Sequence, residues 1–304
     1  MEAIWAGHWT ASEFNFMADY AQFKNDLSPQ QRELVVRTLS AIGQIEIAVK
    51  TFWSNLGNTL PQPSIRDLGY VMGANEVVHN KAYEKLLDVL GLDHVFEENL
   101  KNPVIAGRVN YLRKYSEKVY GRDQRKQFIY ALTLFTMFVE GVSLFSQFYI
   151  IKHINKKQGF LKDTAQQVAY TIAEESLHLQ IGIKLINTLR QEYPELFDDA
   201  LIKKIKKECK EAIEHERNVI SWILGGYSEP DLNVNILDNF VRKKIANAME
   251  QIGIDDHEIT YDNDLLKITR WFDEQQKGVT LTDFFASRPV EYVKGEAVSV
   301  EDLF

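Results

Sequence analysis

Two motifs of one kind stand far apart in the chain, Glu76-Val77-Val78-His79 and Glu175-Ser176-Leu177-His178. Residues three apart on an α-helix share a face. A carboxylate and a neutral imidazole on one face can grip a transition-metal ion. Of the seven histidines, only these two follow a glutamate by three positions. Two more glutamates sit where apolar residues are expected. Glu140 is the only ionisable acid or base, tyrosines aside, between Phe128 and Ile151, and Glu46 lies within Ile42-Gly43-Gln44-Ile45-Glu46-Ile47-Ala48-Val49. A lone buried carboxylate costs several kcal/mol, so it is paired or metal-bound. For either glutamate alone, a buried ion pair is as good a reading as a metal ligand.

The order along the chain tips the balance. Glu46 precedes Glu76 and His79 by one helix and a turn, and Glu140 precedes Glu175 and His178 in the same way. Each half is a helix pair offering one Glu and one Glu-x-x-His. That is the ligand set of the ferritin-like di-iron and di-manganese carboxylate proteins. Four carboxylates and two imidazoles can neutralise two divalent ions and leave positions open for oxygen.

The elements that must carry these residues are helical. Ser28-Pro29-Gln30-Gln31 is a start signal for a helix running to about Asn55. Pro63-Ser64 opens a second, closed by Gly91. Further helices are predicted over about 103–119, 123–156, 163–190, 200–224, 234–252 and 264–274, and period-two alternation is scarce. The fold class is therefore all-α, a bundle with its chemistry between facing helices. Residues 1–286 are read as one helical domain, and 287–304 as a flexible acidic tail.

Composition narrows the classes. With 304 residues, 45% of them hydrophobic, the chain can bury a large core. A single cysteine, Cys209, excludes an intrachain disulfide and fits a reducing, cytoplasmic compartment. The net charge of -8 disfavours nucleic acid as a partner. No signal peptide is read at the start. The apolar run Phe128–Ile151 is long enough for a bilayer, but a central glutamate argues for a buried helix in a bundle and no membrane.

Tyr83 follows His79 by four residues, on the same helix face. With it the chain resembles the small, radical-generating subunit of class I ribonucleotide reductase. The resemblance rests on Trp9-Thr10-Ala11-Ser12-Glu13, Glu76 through Tyr83, Glu140, Glu174-Glu175-Ser176-Leu177-His178, and an end carrying Tyr292 and Glu301-Asp302-Leu303-Phe304. It implies a ferritin-like bundle with additional helices and a dinuclear metal centre. Glu46, Glu76, His79, Glu140, Glu175 and His178 match the metal ligands. Tyr83 matches the tyrosine that holds the radical in many members. Trp9, Glu174 and His79 match the chain that carries the radical equivalent outward, and Tyr292 the tail tyrosine that hands it on. The implied partners are a large subunit, bound through the C-terminal tail and carrying out the ribose chemistry, a second copy of the chain in a homodimer, and an activating flavoprotein or superoxide.

Three residues depart from the common pattern. Glu46 stands where many members have aspartate, Lys50 follows it by one turn, and Glu174 replaces another aspartate. Glu46 with Lys50 looks like the subclass that uses a manganese pair as the oxidant and stores no radical on tyrosine. Two manganese ions are favoured on that basis, with two iron ions or a mixed Mn/Fe pair as alternatives. The competing function is a ligand-binding dimetal oxidase of the same superfamily, and a non-enzymatic one is metal storage. The Lys203–Lys207 run is read as a solvated helix face. His8, His94, His153, His215 and His257 are read as structural.

Overall fold

The computed structural model describes the backbone of residues 1–48 and 50–278, and the side chains of 1–45 and 51–275. Among these residues the secondary structure is helical, apart from a single bridge between Glu229 and Leu232. In chain order the α-helices are α1 (Glu2–Ala6), α2 (Met17–Asn25), α3 (Pro29–Ala48), α4 (Lys50–Ser54), α5 (Pro63–Leu90), α6 (Asp93–Asn99), α7 (Pro103–Leu112), α8 (Gln124–Leu134), α9 (Phe145–Gln158), α10 (Lys162–Glu192), α11 (Asp199–Leu224), α12 (Val234–Gln251) and α13 (Asn263–Gly278). A π-helical stretch, Phe135–Ser143, joins α8 to α9.

The central bundle is made by α3, α5, the α8–π–α9 rod and α10, with α11 and α12 packed outside. The rod Gln124–Gln158 is long and apolar enough to cross a membrane. It is instead the buried spine of the bundle, and every residue from Leu132 to Ile151 is covered by its neighbours. Helix starts follow the chemistry read from the sequence. Side chains of Asn102, Asp123, Asp198 and Asn233 each accept a hydrogen bond from a backbone N–H of the first turn. Gly91 closes α5 in the left-handed conformation, at φ 68°.

Several boundaries differ from the sequence reading. The helix expected over 103–119 leaves α geometry at Leu112 and tightens into a 3₁₀ turn, Arg113–Ser116. The helices α1, α2 and α6 were not foreseen. They are too short to show a periodic apolar stripe, and tertiary contacts fix them. Asp19 of α2, for example, is fully buried and accepts hydrogen bonds from Thr164 N and Oγ1, both at 2.7 Å. It thereby caps α10 from another element, since Leu161 at the cap position has no polar side chain.

A buried polar network ties the outer layer to the inner one. Arg108 of α7 is wholly buried and donates to Glu216 of α11 (3.1 Å), the Ala41 carbonyl (2.9 Å), Gln147 Oε1 (2.9 Å) and the Ser143 carbonyl. Tyr111 donates to the same glutamate. Four elements thus share one guanidinium, a geometry that suits its rigid five-donor fork.

Candidate metal centre

Glu140 sits inside the π-helical stretch, where the backbone is wound more widely than in an α-helix. Such insertions occur mostly at functional sites. Here the partner helix accommodates it: a Cβ on Gly182 of α10 would collide with Thr136, so glycine at that position lets α10 close on the widened turn. Glu76 and His79 come from α5, and Glu174, Glu175 and His178 from α10.

These side chains converge in the middle of the bundle. His178 Nδ1 lies 3.1 Å from Glu76 Oε1, 3.3 Å from Glu140 Oε2 and 3.7 Å from Glu175 Oε2. His79 Nδ1 lies 3.1 Å from Glu175 Oε1 and 3.6 Å from Glu76 Oε2. Both imidazoles therefore turn the same nitrogen toward the carboxylates. Glu76, His79, Glu140, Glu175 and His178 are each at most 2% exposed. One potential ligand atom from each of Glu76, Glu140, Glu175 and His178 falls within 4.8 Å of the others.

Burial and close contact perturb two of these carboxyls. Burial pushes the Glu140 carboxyl well above the ordinary carboxylate range, and the charges of Glu175 and Glu76 push the same way. Burial also acts to raise Glu175, but contacts with Glu140, His178 and His79 outweigh it and hold Glu175 below that range. The two carboxyls therefore titrate as a coupled pair, with Glu140 the one driven toward its neutral form. Burial works against a charged His178, yet contacts with Glu140, Glu175 and Glu76 carry it well above the usual imidazole value.

The donor set fits divalent metal ions on two counts. Both oxygens of Glu76 and one of Glu175 are buried without a hydrogen bond among the described residues, although imidazole nitrogens lie close by. Lone pairs aimed into a common space in this way suit a bound cation. Oxygen and imidazole donors also suit manganese and iron.

The outer face of the site is built by Glu174. Its Oε2 accepts a hydrogen bond from Trp9 Nε1 at 2.8 Å and lies 2.6 Å from His79 Nε2, while Asn75 Nδ2 binds Oε1 at 3.2 Å. Trp9, Glu174 and His79, singled out in sequence, are thus in direct contact. Tyr83 is buried on the same face of α5 as Glu76 and His79. The side chains of Glu46 and Lys50 lie outside the described residues, as does Tyr292 with the rest of 279–304.

Two residues of this neighbourhood escaped the sequence reading. One is Asn75. The other is Trp53, fully buried, whose Nε1 donates to Glu140 Oε1 at 2.7 Å. In the helix predicted to run to Asn55 it follows Glu46 by seven residues, and that spacing was the available signal. His153 does have acidic neighbours in space: its Nε2 lies 3.2 Å from Glu229. Lys157 sits between Glu229 (2.8 Å) and Asp231 (2.7 Å), so these acids are engaged in an ion-pair network. The lysine run forms i,i+4 pairs on its helix, among them Lys204 with Glu208.

Comparison with known proteins agrees with the geometry. The family profile of the ribonucleotide reductase small chain matches residues 1–259. The chain belongs to that family. Among curated relatives, the ribonucleoside-diphosphate reductase subunit beta of Halalkalibacterium halodurans is 22% identical over 296 residues, covering 96% of this chain and 84% of its own. Among solved structures, the ribonucleotide reductase R2 subunit from Clostridium botulinum superposes with a TM-score of 0.79 at 17% identity, over 90% of this chain and 86% of its own. An R2-like ligand-binding oxidase with a reconstituted Mn/Fe cofactor gives a TM-score of 0.69 at 19% identity, over 82% and 90%. Both structures share the ferritin-like fold with this chain.

Proposed function

We propose that the chain is the small subunit of a ribonucleoside-diphosphate reductase, supplying the oxidising equivalent with which a large subunit reduces ribonucleotides to deoxyribonucleotides. The observation that carries this reading is the single oxygen of Glu174 held between Trp9 and His79. When bound, a dinuclear metal centre would supply a strong one-electron oxidant. Glu46, Glu76, His79, Glu140, Glu175 and His178 would hold it.

The remaining steps belong to the protein. His79 offers Nδ1 to the carboxylate cluster and Nε2 to Glu174, so one ring links the centre to the relay. Glu174 can take the Trp9 indole proton as its electron leaves, which keeps charge from building up in a buried site. Burial of Trp9 to 1% exposure shields the oxidised ring from water. From Trp9 the equivalent would pass to Tyr292 and across to the large subunit. Residues 1–286 would form the working domain, and 287–304 the segment the large subunit binds. A homodimer, and activation by a flavoprotein or superoxide, complete the proposal.

For the metals we favour a manganese pair, with di-iron and Mn/Fe centres as the competing assignments. Support comes from Glu46 and Lys50 in the sequence: a lysine one turn from a ligand, if turned toward the site, would offset negative charge and donate hydrogen bonds. An oxidase that acts on its own bound ligand has no use for a route from the cluster to Trp9. The test is turnover. Reduction of a ribonucleoside diphosphate should require both this chain and a large subunit. Product formation by the large subunit alone, or none from the metal-loaded pair, would contradict the assignment.

A further inference from the structure

Glu140 is gripped from two sides. Its Oε2 faces the cluster, 3.3 Å from His178 Nδ1, while its Oε1 accepts the indole N–H of Trp53 at 2.7 Å. The Trp53 ring is wholly buried and fixed by its neighbours. It meets Phe135 edge-on (centroids 5.4 Å apart) and Phe52 likewise (5.3 Å), and its centroid is 6.3 Å from that of His178. The backbone that carries it is fixed as well. A Cβ on Gly69 would strike the Trp53 carbonyl oxygen, and one on Gly73 would strike Ser54, so these glycines let α4 lie directly on α5.

We propose that Trp53 is the positioning residue of Glu140: its N–H ties down Oε1, leaving Oε2 as the one oxygen free to face a metal ion. This rests on the metal-centre reading above. A carboxylate can bind one ion through both oxygens, bridge two ions, or bind through one oxygen alone. Binding one ion through both oxygens, or bridging two ions with one oxygen to each, needs Oε1. A buried indole N–H has one proton to donate, and Glu140 Oε1 accepts it, so rotating Glu140 would break that hydrogen bond. One-oxygen binding by Glu140 would use fewer coordination positions than two-oxygen binding. Partners of this kind typically change metal affinity by about 10–100-fold when removed.

A bland alternative is that Trp53 fills the core and uses the nearest acceptor. The two differ in how Trp53 and Glu140 combine. Mn2+ binding is measured by electron paramagnetic resonance titration of wild type, Trp53→Phe, Trp53→His, Glu140→Ala and the Trp53→Phe/Glu140→Ala double variant. Circular dichroism confirms that each is helical. We expect Trp53→Phe to weaken one of the two Mn2+ equivalents about tenfold or more. Trp53→His keeps a ring N–H and should recover part of that loss. The double variant should bind as Glu140→Ala does, since Trp53 acts through the carboxylate. Wild-type affinity in Trp53→Phe, equal losses in the Phe and His variants, or losses that multiply in the double variant would overturn the proposal while leaving the metal centre standing. A wild-type chain that binds no Mn2+ would overturn both.

Discussion

Trp9 and His79 lie nearly parallel, their ring centroids 6.0 Å apart and their planes at 23°, bridged by one carboxylate oxygen of Glu174. An electron leaving Trp9 and a proton leaving its indole nitrogen thus have separate, adjacent destinations. Trp9→Phe keeps the packing against Phe14 and Tyr170 but removes the N–H and the easily oxidised ring. Metal loading should stay at the wild-type level while turnover with the large subunit is abolished. Metal analysis beside a coupled reductase assay checks this, and full turnover by Trp9→Phe would remove Trp9 from the route.

Tyr83 is buried on the metal face of α5, yet the manganese assignment gives it no stored radical. Tyr83→Phe should therefore retain more than half of wild-type turnover, with the paramagnetic signal of the activated protein unchanged. Loss of turnover together with loss of a narrow organic-radical signal would transfer the oxidant to Tyr83.

The segment 287–304 lacks helical periodicity and carries Tyr292 and a terminal aromatic. Its deletion should leave helix content and metal loading unchanged and abolish nucleotide reduction. A peptide of the last residues should compete with the full chain for the large subunit. Undiminished reduction by the truncated protein would exclude the tail as the docking segment.

Stability rests elsewhere in the bundle. Arg108→Ala would strand Glu216 in the core, where burial already raises its pKa against the pull of Arg108. Breaking such a pair costs about 3–5 kcal/mol. Urea denaturation followed by circular dichroism should show a loss of unfolding free energy of that size. A loss under 1 kcal/mol, roughly the value of an exposed pair, would show that the network is dispensable.

How much of this was legible in the chain varies from residue to residue. Glu140 was found because a carboxylate in a long apolar run is costly, and the structure places it at the centre of the bundle. The Glu-x-x-His pairs were found because three residues span one helical turn. Asn75 and Trp53 were missed because amide and indole groups are ordinary in helices, and only the folded chain shows which acceptor they meet. The π-helical stretch was also invisible, since residue preferences alone do not signal it. Asp19 was missed for the same reason: it caps a helix some 140 residues away.

The claim on which the rest depends is that the buried carboxylate–histidine cluster holds two metal ions. Elemental analysis after anaerobic equilibration with Mn2+ or Fe2+ measures this, with wild type and Glu175→Ala side by side. Binding must displace the protons that Glu140 and His178 retain, so affinity should fall as the pH is lowered and rise as it is raised. The account predicts two ions per chain in wild type, and sharply lower occupancy in a Glu175→Ala chain that remains helical. Wild-type protein that binds no metal, or Glu175→Ala protein that loads fully, would contradict it.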